Sequence, residues 1–154
     1  MDMQIAQLIT PSRVIANLNG TTVTEVLSAL ANLLARDLRS VSAQEVLAVL
    51  LEREGLGSTA IGQGVAIPHG RLAGLATPMA AMGRSSRGIA FHAPDDEPVH
   101  LVIALLSPME DNAVHLQALS RIAHLLRRDA VRQRLQLISE PGPLFHALLA
   151  EEEA

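Results

Sequence analysis

Val99-His100-Leu101-Val102-Ile103-Ala104-Leu105-Leu106 is apolar at seven of its eight positions. A run this continuous, without alternation of polar residues, is the pattern of a strand covered on both faces. It predicts the centre of a β-sheet, and a central strand needs helices on either side. C-terminal to it, Asp111 or Asn112 can cap a long helix carrying Leu116, Leu119, Ile122, Ala123 and Leu126, with shorter helices over 131–137 and 144–150. N-terminal to it, Pro78 to Gly83 and Gly88 to Phe91 read as two short strands. Further upstream the chain from Gly55 to Gly70 is too broken by glycine for a helix and reads as strand and tight loop.

Two capping boxes precede that stretch. In Thr22-Val23-Thr24-Glu25 and Ser42-Ala43-Gln44-Glu45 a hydroxyl and a glutamate three residues on can satisfy each other's exposed amides, so each predicts a helix start. The first helix buries Val26, Leu27, Leu30, Leu33 and Leu34 along one stripe; the second stops at Gly55. The order helix, helix, strands, helices predicts an α/β fold: a central mixed sheet of about five short strands with helices on both faces, formed by residues 1–154 as a single domain.

Composition narrows the function. A formal charge of −4 argues against nucleic acid as a partner, because such proteins present a basic face. Cysteine is absent, which excludes disulfides, thiolate metal sites and cysteine nucleophiles. Phe91 and Phe145 are the only aromatic residues, too few for a base-stacking or sugar-stacking surface. No stretch approaches the roughly 18 apolar residues of a membrane span, and the N-terminus lacks the basic start of a secretory signal, so a cytoplasmic chain that is not membrane-embedded is expected. His92, His100, His124 and His146 lack metal-ligand spacing, and no Gly-Lys-Ser/Thr loop is present; neither a metal nor another cofactor is expected.

All 12 basic residues are arginine, and Arg121, Arg127, Arg128, Arg132 and Arg134 read as a solvated helix face. Glu151-Glu152-Glu153 reads as a frayed end, Asp95-Asp96-Glu97 as a solvated loop, and Met79 and Met82 as core.

The pentad Ile67-Pro68-His69-Gly70-Arg71 carries the chemistry. Proline keeps Ile67 out of the helical region, and Gly70 permits a turn or close approach, so His69 is expected exposed and aimed at a strand end. Imidazole titrates near neutrality, at roughly pKa 6.5, which leaves a neutral ring nitrogen free to attack phosphorus. Phosphoryl transfer needs positioning and charge neutralisation above all. Arg53 and Arg71 can supply guanidinium contacts, Ser58 and Thr59 hydroxyl donors, and the stretch from Gly55 to Gly64 a nest of backbone amides. His115, four residues past Asp111, falls in the first turn of the later helix, where a second imidazole can reach a phosphoryl oxygen.

Glu54, six residues, Ile61-Gly62, two residues and Val65-Ala66-Ile67-Pro68-His69-Gly70 together resemble the active-site signature of the fructose/mannitol-type enzyme IIA domains of the bacterial phosphotransferase system. Arg53-Glu54-x-x-Gly57-Ser58-Thr59, Phe91-x-Ala93-x-Asp95-Asp96-x-Pro98-Val99 and His115-Leu116-x-x-Leu119 extend the similarity over nearly the whole chain. Ala60 departs from it, standing where a glycine is usual. The nitrogen-regulatory branch of the family is the most similar in length and organisation. The resemblance implies phosphorylation of His69 on Nε2 by a phosphorylated HPr-like carrier, with Arg53 and His115 supporting the phosphoryl group and Ser58, Thr59, Gly70 and Arg71 around it. It further implies regulation of partner proteins, such as kinases or ion transporters, according to phosphorylation state. Two alternatives remain open: a sugar-specific enzyme IIA that hands phosphate to a separate enzyme IIB, and an interaction module that is never phosphorylated.

Overall fold

The computed structural model describes residues 3–153, and all statements of structure concern these. After two 3-10 turns at Ile5–Gln7 and Pro11–Arg13, the elements run β1 (Val14–Ile15), α1 (Val23–Arg36), α2 (Ala43–Gly55), β2 (Ala60–Gly62), β3 (Val65–Ala66) and β4 (His69–Leu72). They continue with β5 (Met79–Ile89), β6 (Val99–Pro108), α3 (Asn112–Leu126), α4 (Asp129–Gln136) and α5 (Pro141–Glu153).

The helix starts follow from local chemistry. Thr22 Oγ1 accepts Glu25 N at 3.2 Å and Ser42 Oγ accepts Glu45 N at 3.1 Å, while each glutamate side chain returns to the cap backbone. Both capping boxes are complete, and Asp111 caps α3 by accepting Val114 N at 3.0 Å. Each such cap contributes about 1 kcal/mol.

β6 is the spine of a mixed sheet of six strands in the order β1-β5-β6-β3-β2, with β4 also on β6. It runs antiparallel to β5 and parallel to β3 and β4. Because successive side chains alternate across a strand, Leu101, Ile103 and Leu105 enter a core with α3, α4 and α5. Val102, Ala104 and Leu106 enter a second core with α1 and α2 on the opposite face. The uninterrupted apolar run therefore serves two cores at once.

Non-local pairing changes some of the expected elements. The two strands expected over 78–83 and 88–91 are one strand, β5, whose register against β6 shifts between Arg84 and Ile89 to absorb the polar residues between them. Arg84 is buried by donating to the carbonyls of Gln136 and Ala16, which is why a charged residue sits within a strand. β1 has only two residues and comes from pairing with Met82 and Gly83. The arginine-rich stretch is not simply a solvated face. Arg121 pairs with Glu152 at 2.8 Å, Arg134 pairs with Glu151 at 2.8 Å, and buried Arg132 donates to Leu126 O and pairs with Asp129. Glu151 and Glu152 accordingly lie within α5, not in a frayed end, and Glu152 also accepts the amide of Ile5. Asp95 likewise is tied down, accepting Gln63 N at 2.7 Å and Glu97 N at 3.1 Å.

Candidate functional site

Proline has no amide to give to a sheet, and Pro68 separates β3 from β4 along the same edge of β6. Its carbonyl still accepts Leu105 N at 2.8 Å, so pairing resumes at once and His69 opens β4 in register with Leu105. The side chain is half-buried, less exposed than a lone histidine in a glycine-rich loop suggests.

His69 Nδ1 lies 2.8 Å from the carbonyl of Ile67. A carbonyl only accepts, so Nδ1 carries the proton and donates, leaving the lone pair on Nε2. Burial lowers the pKa of His69 below the usual histidine value; the bond to Ile67 opposes this, Arg53 adds to the lowering, and Glu54 works against it. The ring is thus held neutral and in a defined tautomer.

His115 stands beside it, with ring centroids 5.5 Å apart and planes inclined by 47°. Its Nδ1 lies 2.6 Å from Oγ of Ser107, a fully buried residue near the end of β6. Burial, then the charges of Arg71 and His69, push its pKa down to about 4, so this ring too is neutral at pH 7.

The two imidazoles open into a depression of about 460 Å³ whose walls include Arg53, Arg71, Gly70, Leu56 and Met109. A second hollow of about 240 Å³ also adjoins His69 and Arg53 and reaches Ile61 and Arg127. Arg53 donates to the carbonyl of Gly57 at 2.9 Å. Arg71 donates to the carbonyl of Met109 at 2.9 Å and to the side-chain oxygen of Asn112. Among the described residues neither guanidinium forms an ion pair, so both positive charges are held by neutral acceptors in the wall of the depression that His69 lines. Such an arrangement receives an anion.

Other expected contacts take different positions. Ser58 Oγ donates to the carbonyl of Phe91, and Thr59 donates through both its amide and its hydroxyl to the Glu54 carboxylate. The hydroxyl protons of Ser58 and Thr59 are therefore engaged in holding the loop together, not free to donate to a phosphoryl group. Part of the expected nest is likewise engaged from within, because the amides of Gly57, Thr59, Ala60 and Gln63 have partners. Gly70 lines the depression but is required by packing: a Cβ there would lie 2.3 Å from Val49 Cγ1 on α2.

Sequence reasoning missed Ser107, although it is the one polar residue after six apolar ones in β6. It also missed that apolar residues stand exposed around the histidines, among them Leu116, which the sequence placed on the apolar stripe of the helix. Leu56, Ile61, Met109 and Leu116 are all exposed, and three of them line the two hollows while Leu116 follows His115.

A family model described as "Phosphoenolpyruvate-dependent sugar phosphotransferase system, EIIA 2" matches residues 7–150. The "Nitrogen regulatory protein" of Pseudomonas aeruginosa is 40% identical over 147 residues, covering 96% of each chain. That of Bradyrhizobium diazoefficiens is 38% identical over 146 residues, covering 95% of each. The crystal structure of nitrogen regulatory protein IIA-Ntr from Neisseria meningitidis superposes with a TM-score of 0.86 at 33% identity, covering 94% of this chain and 98% of that one. With a family model matched over residues 7–150 and a relative 40% identical over 96% of each chain, the chain belongs to the EIIA type 2 family of the phosphotransferase system.

Proposed function

We propose that the protein is a regulatory phosphoryl carrier that accepts phosphate on Nε2 of His69 from a phosphorylated HPr-like protein. The observation that carries this reading is the Ile67 carbonyl bound to Nδ1, which leaves Nε2 unprotonated in a depression shared with Arg53 and Arg71, neither of them in an ion pair among the described residues. The Nε2 lone pair attacks phosphorus, the donor's nitrogen–phosphorus bond breaks, and its electron pair returns to the donor nitrogen. Positive charge developing on the His69 ring is shared with the Ile67 carbonyl, and Arg53 and Arg71 neutralise the phosphoryl oxygens.

The exposed apolar side chains of Leu56, Ile61, Met109 and Leu116 around the site suit docking by another protein. Loading adds roughly two negative charges on that face, enough for a partner to bind one state and reject the other. Such regulation agrees with the relatives from Pseudomonas aeruginosa and Bradyrhizobium diazoefficiens, each a "Nitrogen regulatory protein". Absence of a helix long and apolar enough to cross a membrane, among the described residues, agrees with a carrier in the cytoplasm. A second reading keeps the chemistry and makes the chain a sugar-transport subunit passing phosphate to a separate enzyme IIB, as the word "sugar" in the family description suggests.

Incubation with phosphorylated HPr followed by intact mass measurement tests the carrier reading. One added phosphoryl group in the wild type and none in His69→Ala is the expected result. Labelling retained by His69→Ala, or no labelling of the wild type, removes it, and the latter leaves a pure interaction module. Pull-downs with loaded and unloaded protein then separate the readings: state-dependent capture of a regulatory protein supports the first, and transfer to an enzyme IIB supports the second.

A further inference from the structure

Ser107 lies on β6 directly opposite Arg71 of β4 and is wholly buried. Its hydroxyl has one hydrogen-bond partner among the described residues, Nδ1 of His115 at 2.6 Å. Two arrangements satisfy that distance. In one, Nδ1–H donates to Oγ; the hydroxyl proton then has no acceptor and is stranded in the core, at a cost of about 1–3 kcal/mol. In the other, the hydroxyl donates to a bare Nδ1, and both atoms are satisfied.

We propose that Ser107 is a positioning residue: by donating to Nδ1 of His115 it holds the tautomer in which Nε2–H serves as donor to the phosphoryl group on His69. This rests on the carrier reading above and deepens it. The tautomer matters because a neutral imidazole has one donor and one acceptor, and His115 is neutral at pH 7. The opposite tautomer would aim a lone pair at phosphoryl oxygens that are already negative. With rings 5.5 Å apart, His115 is close enough for its remaining nitrogen to meet a group seated on Nε2 of His69. The two histidines are thus held in opposite tautomers by opposite kinds of partner. A carbonyl makes Nδ1 of His69 a donor, and a hydroxyl makes Nδ1 of His115 an acceptor.

The test is two-bond ¹H–¹⁵N spectroscopy of the histidine rings in wild type, Ser107→Ala and Ser107→Thr, alongside the rate of loading by phosphorylated HPr and by phosphoramidate. Protonated and bare ring nitrogens resonate far apart, so each tautomer is read directly. Expected are an Nε2–H tautomer for His115 in the wild type, a mixture of tautomers in Ser107→Ala with loading slowed about tenfold, and recovery of both in Ser107→Thr. A wild-type His115 with the proton on Nδ1 overturns the proposal. So does a Ser107→Ala protein with the same single tautomer and an unchanged rate. Should Ser107→Ala fail to fold, the wild-type spectrum still decides. A wild type that neither donor loads removes the carrier reading, while the spectrum continues to test the serine on its own.

Discussion

The rings of His69 and His115 stand 5.5 Å apart, and burial lowers the pKa of both. Their pH dependence follows from the sign of that shift. An unfolded histidine titrates near 6.5, whereas His115 in the fold titrates at about 4, so between these values the unfolded chain binds the extra proton. Stability is therefore full above about pH 6.5 and declines as the pH falls toward 4, with His69 acting in the same direction. Urea midpoints measured near neutrality and near pH 4.5 should differ, and His115→Gln should narrow the difference. A gap that the substitution leaves untouched would show that groups other than His115 account for the acid sensitivity.

Arg53 and Arg71 line the same depression as His69, without ion-pair partners among the described residues. Removing the charge in Arg53→Gln should slow loading by phosphorylated HPr on the order of 100-fold. Arg53→Lys should recover only part of the rate, since a point charge lacks the two-pronged geometry. Initial rates of phosphate incorporation provide the check, and circular dichroism should remain unchanged.

Gly70 sits under α2 with no room for a methyl group, its Cβ position being 2.3 Å from Val49 Cγ1. Gly70→Ala should destabilise the protein by about 1–3 kcal/mol through overpacking. Adding Val49→Ala should restore part of that loss, so the double mutant should be less destabilised than the sum of the two single changes. Equilibrium denaturation of all four proteins measures the coupling, and strict additivity would contradict the contact.

Glu152 accepts the Ile5 amide at 2.9 and 2.7 Å through its two oxygens and pairs with Arg121 at 2.8 Å, with its side chain 6% exposed. Glu152→Ala leaves a buried amide unpaired and should cost about 2 kcal/mol. Arg121→Ala should cost less, because that side chain is 32% exposed and water replaces its partner. Thermal unfolding of the pair ranks them; a larger loss from Arg121→Ala would reverse the argument.

What the sequence made legible was what is decided locally or by burial on both faces. The two capping boxes at Thr22 and Ser42 read correctly because their chemistry spans four residues. The run from Val99 read correctly because a strand between two cores cannot alternate. β1 escaped because two residues carry no periodicity, and the single strand β5 was split because its polar middle is accommodated by β6 and by distant carbonyls. At the site, Ile67-Pro68-His69 pointed to His69, and the place of His115 four residues past Asp111 pointed to a second imidazole before the family resemblance was drawn. The serine behind His115 and the apolar residues around both rings gave no local signal, since what matters in each is its neighbour in space.

The bond from Nδ1 of His69 to the carbonyl two residues behind it has one further consequence for traffic through the site. A ring tethered in this way cannot turn over, so whatever visits Nε2 must come through the same opening. On the carrier reading, the protein that delivers the group and the one that takes it or senses it compete for one doorway, and their visits must alternate.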